Sequence, residues 1–255
     1  MIRAGLGTGS EPAAADDALT AADRFERWHE SLRAKVPLEV GGDRPADFRG
    51  HEHQLTLGSA HVRLKDLTGP LELRRRTRQA REVPEVYHLM VPLKGALLSE
   101  WGGRSCETGV GDVYVQDLTR FERYGFRPAH GQTSFRTMTV VLPKAALPLS
   151  GRAVNRLLGQ PMPATRGVGS LLRGFLTQLT ADAATFRPAD GPRLETVLCD
   201  LVSAVFAHRL DAEEGWEPTS RQRVLVTNVQ SFVQQHLHDA ELTPRTVAAA
   251  HHISV

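Results

Sequence analysis

The chain is poor in cysteine, lysine and aromatic residues, and it has no long apolar run. Its two cysteines, Cys106 and Cys199, lie far apart and outside any CxxC or CxxH spacing. That excludes a disulfide-stapled scaffold and supplies no zinc ligand set. No stretch approaches the ~20 apolar residues needed to cross a bilayer, so no membrane partner is expected. The opening MIRAGLGTGSEPAAADD has no basic start followed by an apolar core. It reads as a disordered lead over residues 1–22 rather than a secretory signal, which places the protein in the cytoplasm. A net charge of +2 is too small to mark a nucleic-acid partner on its own. Only four of the 31 basic residues are lysine, an arginine bias that points to GC-rich coding. The chain also has no GxSxG elbow, phosphate-binding glycine loop or HExxH motif, and neither cysteine has a local catalytic signature, so it reads as a non-enzyme.

With 255 residues, 41% hydrophobic and 24% charged, the chain can bury a substantial core. No fixed-period repeat is found. From Asp23 to Val36, Phe25, Trp28 and Leu32 recur at helical spacing, and Pro37 ends the pattern. From about Leu38 to Leu142 the pattern changes to short runs of β-formers broken by Gly, Pro and Asp. This is how an antiparallel barrel or sandwich reads. The hairpin over Ala96–Trp101 and Arg104–Thr108 is the most informative, because its Gly102-Gly103 loop suits a tight turn at positive φ. Closely spaced hairpins favour a jelly-roll-like barrel over a parallel sheet, whose strands need long crossovers.

After Pro143 the strand signal disappears, and Gly159 to Pro163 marks a boundary. One apolar stripe runs from Val168 to Leu179 and a second from Leu194 to Phe206. They predict a helical hairpin over 161–212 that covers the barrel or pairs with another copy. Beyond a polar connector, Val224, Leu225, Val229, Phe232, Val233 and Leu237 stripe a further helix. Thr243 then suits an N-cap and Pro244 the first helical position. Ser254 is placed to cap a following helix.

The segment Leu242-Thr-Pro-x-Thr-Val-Ala-x-Ala-x-x-Ile-Ser254 resembles the first helix-turn-helix of AraC/XylS-type transcription regulators. Phe232-Val-x-x-His-Leu237 fits their lead-in helix. Tyr87 to Gly95, Gly109 to Val113 and Gln116 to Phe121 are similar to the cupin-type effector domain that often precedes that module. The resemblance implies an α+β chain with four parts: a disordered lead (1–22), a cupin-like jelly-roll β-barrel (23–160), a helical hairpin for linkage and dimerisation (161–212), and the first two helices of an AraC-type helix-turn-helix domain (219–255). It implies a DNA-binding regulator that responds to a small-molecule effector and forms a homodimer, or a heterodimer with a full-length regulator. Thr243, Pro244, Arg245 and Ser254 would belong to the DNA-binding motif. The helix that reads base edges would follow Val255, so this chain is expected to end within the motif and to bind specific DNA weakly by itself. No cofactor is implied.

The effector contacts are expected from inward side chains near Tyr87, Leu89, Val91, Val113 and Val115, because alternate residues share one face. His51-Glu-His53 resembles half of a cupin metal site, but no matching ligands follow, so these histidines read as ordinary strand or loop residues. Arg74 to Arg81 holds five arginines in eight residues and reads as a solvated strand end or loop rather than an anion site. His251 and His252 point ~100° apart on a helix, which argues for turn surface. Two alternatives stay open at this level: a metal-dependent cupin enzyme, and a protein-interaction module acting through mixed dimers.

Overall fold

The computed structural model describes residues 8–10, 19–35, 38–41, 46–75, 85–214, 229, 232–233 and 242–250. The first helix, α1 (Ala21–Lys35), starts where Thr20 accepts the Asp23 amide at 3.2 Å and donates to its carboxylate at 2.7 Å. That exchange satisfies an otherwise open helix-end donor. Phe25 and Leu32 are buried from the face that spacing predicted, with Trp28 packed beside them.

Twelve strands follow or precede it: β1 (Thr8–Ser10), β2 (Leu38–Gly41), β3 (Gly50–Leu57), β4 (Ala60–Thr68), β5 (Leu71–Arg75), β6 (Val86–Lys94), β7 (Ala96–Trp101), β8 (Arg104–Thr108), β9 (Asp112–Asp117), β10 (Arg123–Arg127), β11 (Ser134–Pro143) and β12 (Pro161–Pro163). They form two sheets in which every pairing is antiparallel, ordered β1-β3-β4-β11-β6-β9-β12 and β2-β5-β10-β7-β8. The chain passes from the larger sheet to the smaller at Gly95, whose φ of +78° suits glycine. A Cβ there would lie 2.4 Å from the Arg127 carbonyl oxygen. The sheets face each other across one apolar cluster, in which Phe126 of β10 stacks on Phe135 of β11 with ring centres 4.2 Å apart. Helix α1 joins that cluster: Phe25 meets Phe48 edge-on at 5.2 Å, and Trp28 meets the same ring at 5.2 Å.

The middle of the larger sheet is buried on both faces. Its outward side carries Val62, Leu89, Val91, Val113, Val115 and Val140, each 0 or 1% exposed. Three helices follow in sequence, α2 (Gly151–Leu157), α3 (Gly167–Ala181) and α4 (Gly191–Glu214). Thr180 of α3 reaches the Met138 sulfur at 3.9 Å, and Met138 shares the outward face with Val91, so α3 lies across it. At the β3–β4 turn, the Ser59 amide donates to Glu195 of α4 at 3.0 Å, and the Ser59 hydroxyl donates to the same oxygen.

Two details differ from expectation. Residues 8–10, inside the lead read as disordered, pair with β3, and Leu19 and Thr20 anchor the start of α1 through hydrogen bonds with Arg24 and Asp23. Pro161–Pro163, within the segment read as a boundary, pairs with β9 as β12. The chain divides into two compact units, 1–207 and 208–255. In the second, α5 (Pro244–Ala250) begins after Thr243, whose hydroxyl accepts the Thr246 amide at 3.2 Å. Of the stripe from Val224 to Leu237, only Val229, Phe232 and Val233 fall among the described residues, all helical. No helix among the described residues is long and apolar enough to cross a membrane.

Phe25 is 2% exposed at the junction of helix and sheets. Phe25→Ala is expected to cost about 3–5 kcal/mol of stability, read as a fall in the midpoint of denaturant unfolding with unchanged slope. A change below ~1 kcal/mol would mean that the helix is not part of the core.

Candidate functional site

Side chains directly opposite in neighbouring strands share a face, so the register identifies what the larger sheet presents to the barrel interior. Gln54, Arg63, Thr139, Met90 and Tyr114 form one row across β3, β4, β11, β6 and β9. Thr56, His61, Val141, His88 and Gln116 form the next, and Glu52 lies opposite Lys65. These strands therefore carry apolar side chains outward and a mainly polar set inward.

The inward groups enclose a chamber walled by Trp28, Ser31 and Leu32 of α1, Glu52, Arg63, Lys65, His88, Met90 and Thr139 of the larger sheet, and Leu38, Tyr124 and Phe126 of the smaller. The open space is about 30 Å³, which is room for one or two waters. Arg63 Nε lies 3.8 Å and Lys65 Nζ 3.9 Å from the two Glu52 oxygens, and Arg63 Nε also donates to Gln54 Oε1 at 2.9 Å. One wall is thus charged and the opposite wall apolar.

Electrostatics follow from this enclosure. Burial, reinforced by the nearby Lys65 and Arg63 charges, pushes the His88 pKa down to about 3, so its imidazole is neutral at physiological pH. Burial also raises the Tyr114 phenol to about 12 and lifts that of Tyr124 further. Gln116 is fully buried, yet neither atom of its carboxamide makes a well-aligned hydrogen bond, and the Tyr114 hydroxyl is likewise unsatisfied. Orphaned polar groups in a native interior call for an explanation; these two neighbour His88 and Met90 of the chamber wall in register but do not line the open space.

A second depression, an open groove of about 720 Å³, lies on the outer face of the smaller sheet over Gly125 and Leu98. It is larger, but its charges already pair with each other: Arg74 with Glu72 at 2.5 Å, Arg123 with Glu100, and Arg127 with Glu107 at 2.6 Å. Exposed pairs of this kind contribute little, and the groove encloses nothing. The interior chamber is therefore the stronger candidate.

The residues named from sequence stand elsewhere. Tyr87, Leu89, Val91, Val113 and Val115 occupy the outward face of the larger sheet, alternating with His88, Met90, Tyr114 and Gln116, and none lines the chamber. The correction is one residue in register, which moves every side chain to the other face. His88, one of two histidines that the sequence offers as barrel-lining beside His130, does line the chamber, whereas sequence reasoning missed Glu52, Arg63 and Lys65. Their signal was present as polar residues at alternate positions of otherwise apolar strands. His51 and His53 are exposed on β3, and no group of three or more metal-ligating side chains converges among the described residues. Thr243, Pro244 and Arg245 lie at the start of α5 and are exposed. Ser254, His251, His252 and Arg76 to Arg81 lie outside the described residues.

Residues 28–207 match the sequence model of the AraC-binding-like domain, ending where the first compact unit ends. The fold is similar to the crystal structure of the AraC-like transcriptional activator CuxR, at a TM-score of 0.63 and 16% identity over 98% of this chain and 85% of that one. A putative ethanolamine utilization protein, EutQ of Salmonella typhimurium, aligns at a TM-score of 0.28 and 15% identity over 37% of this chain and 69% of its own. Ectoine synthase from P. lautus aligns at 0.27 and 16% over 45% and 75%. The last two likenesses are too slight to inform the site, and no curated protein matches the chain.

The buried neutral His88 sets a pH dependence. Unfolded, the imidazole takes a proton below about 6.5, whereas in the fold it stays neutral down to about 3. Stability from this group is therefore fully present above pH 6.5 and falls by up to ~1.4 kcal/mol per pH unit on acidification between those values. His88→Gln should flatten that slope in urea unfolding between pH 7 and pH 4; an unchanged slope would place the effect on other groups.

Proposed function

The chain belongs to the AraC-binding-like domain family, and from that premise we propose that it serves as the sensing part of a transcription regulator. The barrel holds a small-molecule effector in the chamber behind α1. Helices α3 and α4 form a hairpin that relays the bound state and brings two copies together, as a homodimer or with a full-length regulator. The segment 219–255 begins an AraC-type DNA-binding module in which Thr243, Pro244, Arg245 and Ser254 take part, so that DNA is the second partner. The role is binding and not catalysis, and it is exercised in the cytoplasm.

The observation that carries this reading is the chamber itself, enclosed by a helix and two sheets and lined on one side by Glu52, Arg63, Lys65 and the buried neutral His88. Small-ligand sites combine apolar walls with a few converging polar groups, and this chamber sets an apolar wall against a charged one. The Ser59–Glu195 hydrogen bonds support a relay, since they tie the turn between β3 and β4, which carry Glu52, Arg63 and Lys65, to helix α4. Differential affinity of the effector for two positions of that turn is what would make the relay a switch. Leu171 of α3 and Val197 of α4 are 61% and 44% exposed, and support a helical face for the second copy.

Thermal unfolding against a chemically diverse metabolite library tests the sensing role. At least one compound is expected to raise the melting temperature, and Ser31→Phe, which fills the chamber from α1, should abolish that rise while leaving the unliganded protein folded. If no compound stabilises the wild type, or the filled variant responds equally, the chamber is not the effector site.

A further inference from the structure

The two cysteines stand in opposite surroundings. Cys199 of α4 is buried, and burial together with the Glu195 and Asp200 charges pushes its thiol up, which keeps it protonated and inert. Cys106 stands on β8, the last strand of the smaller sheet, and is only partly buried. Its Sγ donates to the Gly159 carbonyl at 3.3 Å, and the Ser99 hydroxyl, opposite it on β7, lies 2.9 Å from the same sulfur. With the single S–H given to Gly159, the Ser99 hydroxyl is the donor in that second contact. Two further hydroxyls stand beside this pair without partners. Tyr114 of β9 is fully buried, and its phenol lies within electrostatic reach of Ser99 and Cys106 but makes no well-aligned hydrogen bond. Thr108, the next residue of β8 on the same face as Cys106, is fully buried with its hydroxyl also unsatisfied. Buried donors left open in this way are costly, and an oxygen atom carried on Sγ is an acceptor of the kind they lack.

The Cys106–Gly159 contact joins two parts of the fold. Gly159 lies in the turn between α2 and β12, where its amide donates to the Val115 carbonyl of β9 at 3.1 Å and where a Cβ would run into the Trp101 ring. We propose that Cys106 is a site of reversible oxidation by peroxide, and that its oxidation releases the α2–β12 turn from β8. The thiol gives up its proton, the thiolate attacks one oxygen of hydrogen peroxide, and the O–O bond breaks. Sulfur is oxidised to the sulfenic acid Cys106–SOH, and the peroxide is reduced to hydroxide, which takes up the proton and leaves as water. The Ser99 hydroxyl steadies the reacting thiolate, and the Ser99 and Tyr114 hydroxyls donate to the new oxygen. The S–H that held the Gly159 carbonyl is gone, so the turn that leads through β12 to α3 loses its tie to the smaller sheet. A thiol reductant condenses with the sulfenic acid, releasing water, and a second thiol returns Cys106 to its starting state. None of these side chains lines the chamber, so this input is separate from effector binding.

The whole chain, treated with hydrogen peroxide, tests this by dimedone trapping with peptide mass spectrometry and, in a parallel sample, by hydrogen–deuterium exchange. Dimedone is expected on Cys106 and not on Cys199, and amide exchange at Gly159 and Gln160 should rise while circular dichroism shows the fold kept. Ser99→Ala should slow the labelling by about tenfold, the scale of one hydrogen bond to a charged group. Tyr114→Phe, which removes the open hydroxyl and keeps the ring, should fold and accumulate less sulfenic acid at the same dose. Cys106→Ser, which keeps a donor for the Gly159 carbonyl, should fold and show no exchange response. Labelling of Cys199 in place of Cys106, or of neither, overturns the proposal. So does unchanged exchange at the turn when Cys106 is labelled, or a Cys106→Ser chain that still responds. Each of those results leaves the sensing role of the chamber standing, because that role is read from compounds that Ser31→Phe blocks.

Discussion

The middle of the larger sheet, β6 and β9 with most of β11, has no face toward water, and that constraint organises the rest of the molecule. A strand's side chains alternate strictly between two sides, so β4, β6, β9 and β11 must each carry two independent sets. The outward set is apolar and receives the helical layer, where Val62, Leu89, Val115 and Val140 form a continuous row. The inward set is polar and charged, and it stays buried because α1 and the smaller sheet cover it. Burying Arg63, Lys65 and Glu52 is unfavourable unless each finds a partner, and Arg63 finds one in Gln54 Oε1 at 2.9 Å and another in Glu52 at 3.8 Å.

The architecture was legible in the residues for reasons that can be named. The β7–β8 hairpin falls where the Gly102-Gly103 loop places it, with both glycines at positive φ. The α1 face follows from Phe25, Trp28 and Leu32, and α3 and α4 cover the two apolar stripes. The site was not legible in the same way. A strand exposed on one side advertises its buried face by alternation, but Tyr87 to Pro92 is buried at every position, so apolar character could not tell inside from outside. The useful signal ran the other way: His61, Arg63 and Lys65, and Glu52, Gln54 and Thr56, mark the inward face by polarity. It became readable only once the opposite face was known to be covered by helices. Residues 8–10 carried no pattern at all, and they pair with β3 through backbone hydrogen bonds that sequence alone does not announce.

Helix α1 and the Ser59–Glu195 contact give the chamber an outlet in each direction. The first is a wall held by edge-on and tilted aromatic contacts with Phe48 and by Arg24, which donates to the Phe48 carbonyl at 2.9 Å. The second joins the strands that bear the charged groups to a helix whose chain continues into the C-terminal unit. Occupancy of the chamber and the position of α4 are coupled in this account because β3 and β4 contribute to both.

A crystal structure of the chain grown with the compound that most raises its melting temperature tests the central claim most directly. The account predicts ligand density inside the barrel, between α1 and the wall that carries Arg63, His88 and Thr139. Ligand density over Gly125 and Leu98 on the outer face of the smaller sheet, with the interior unchanged, would contradict it.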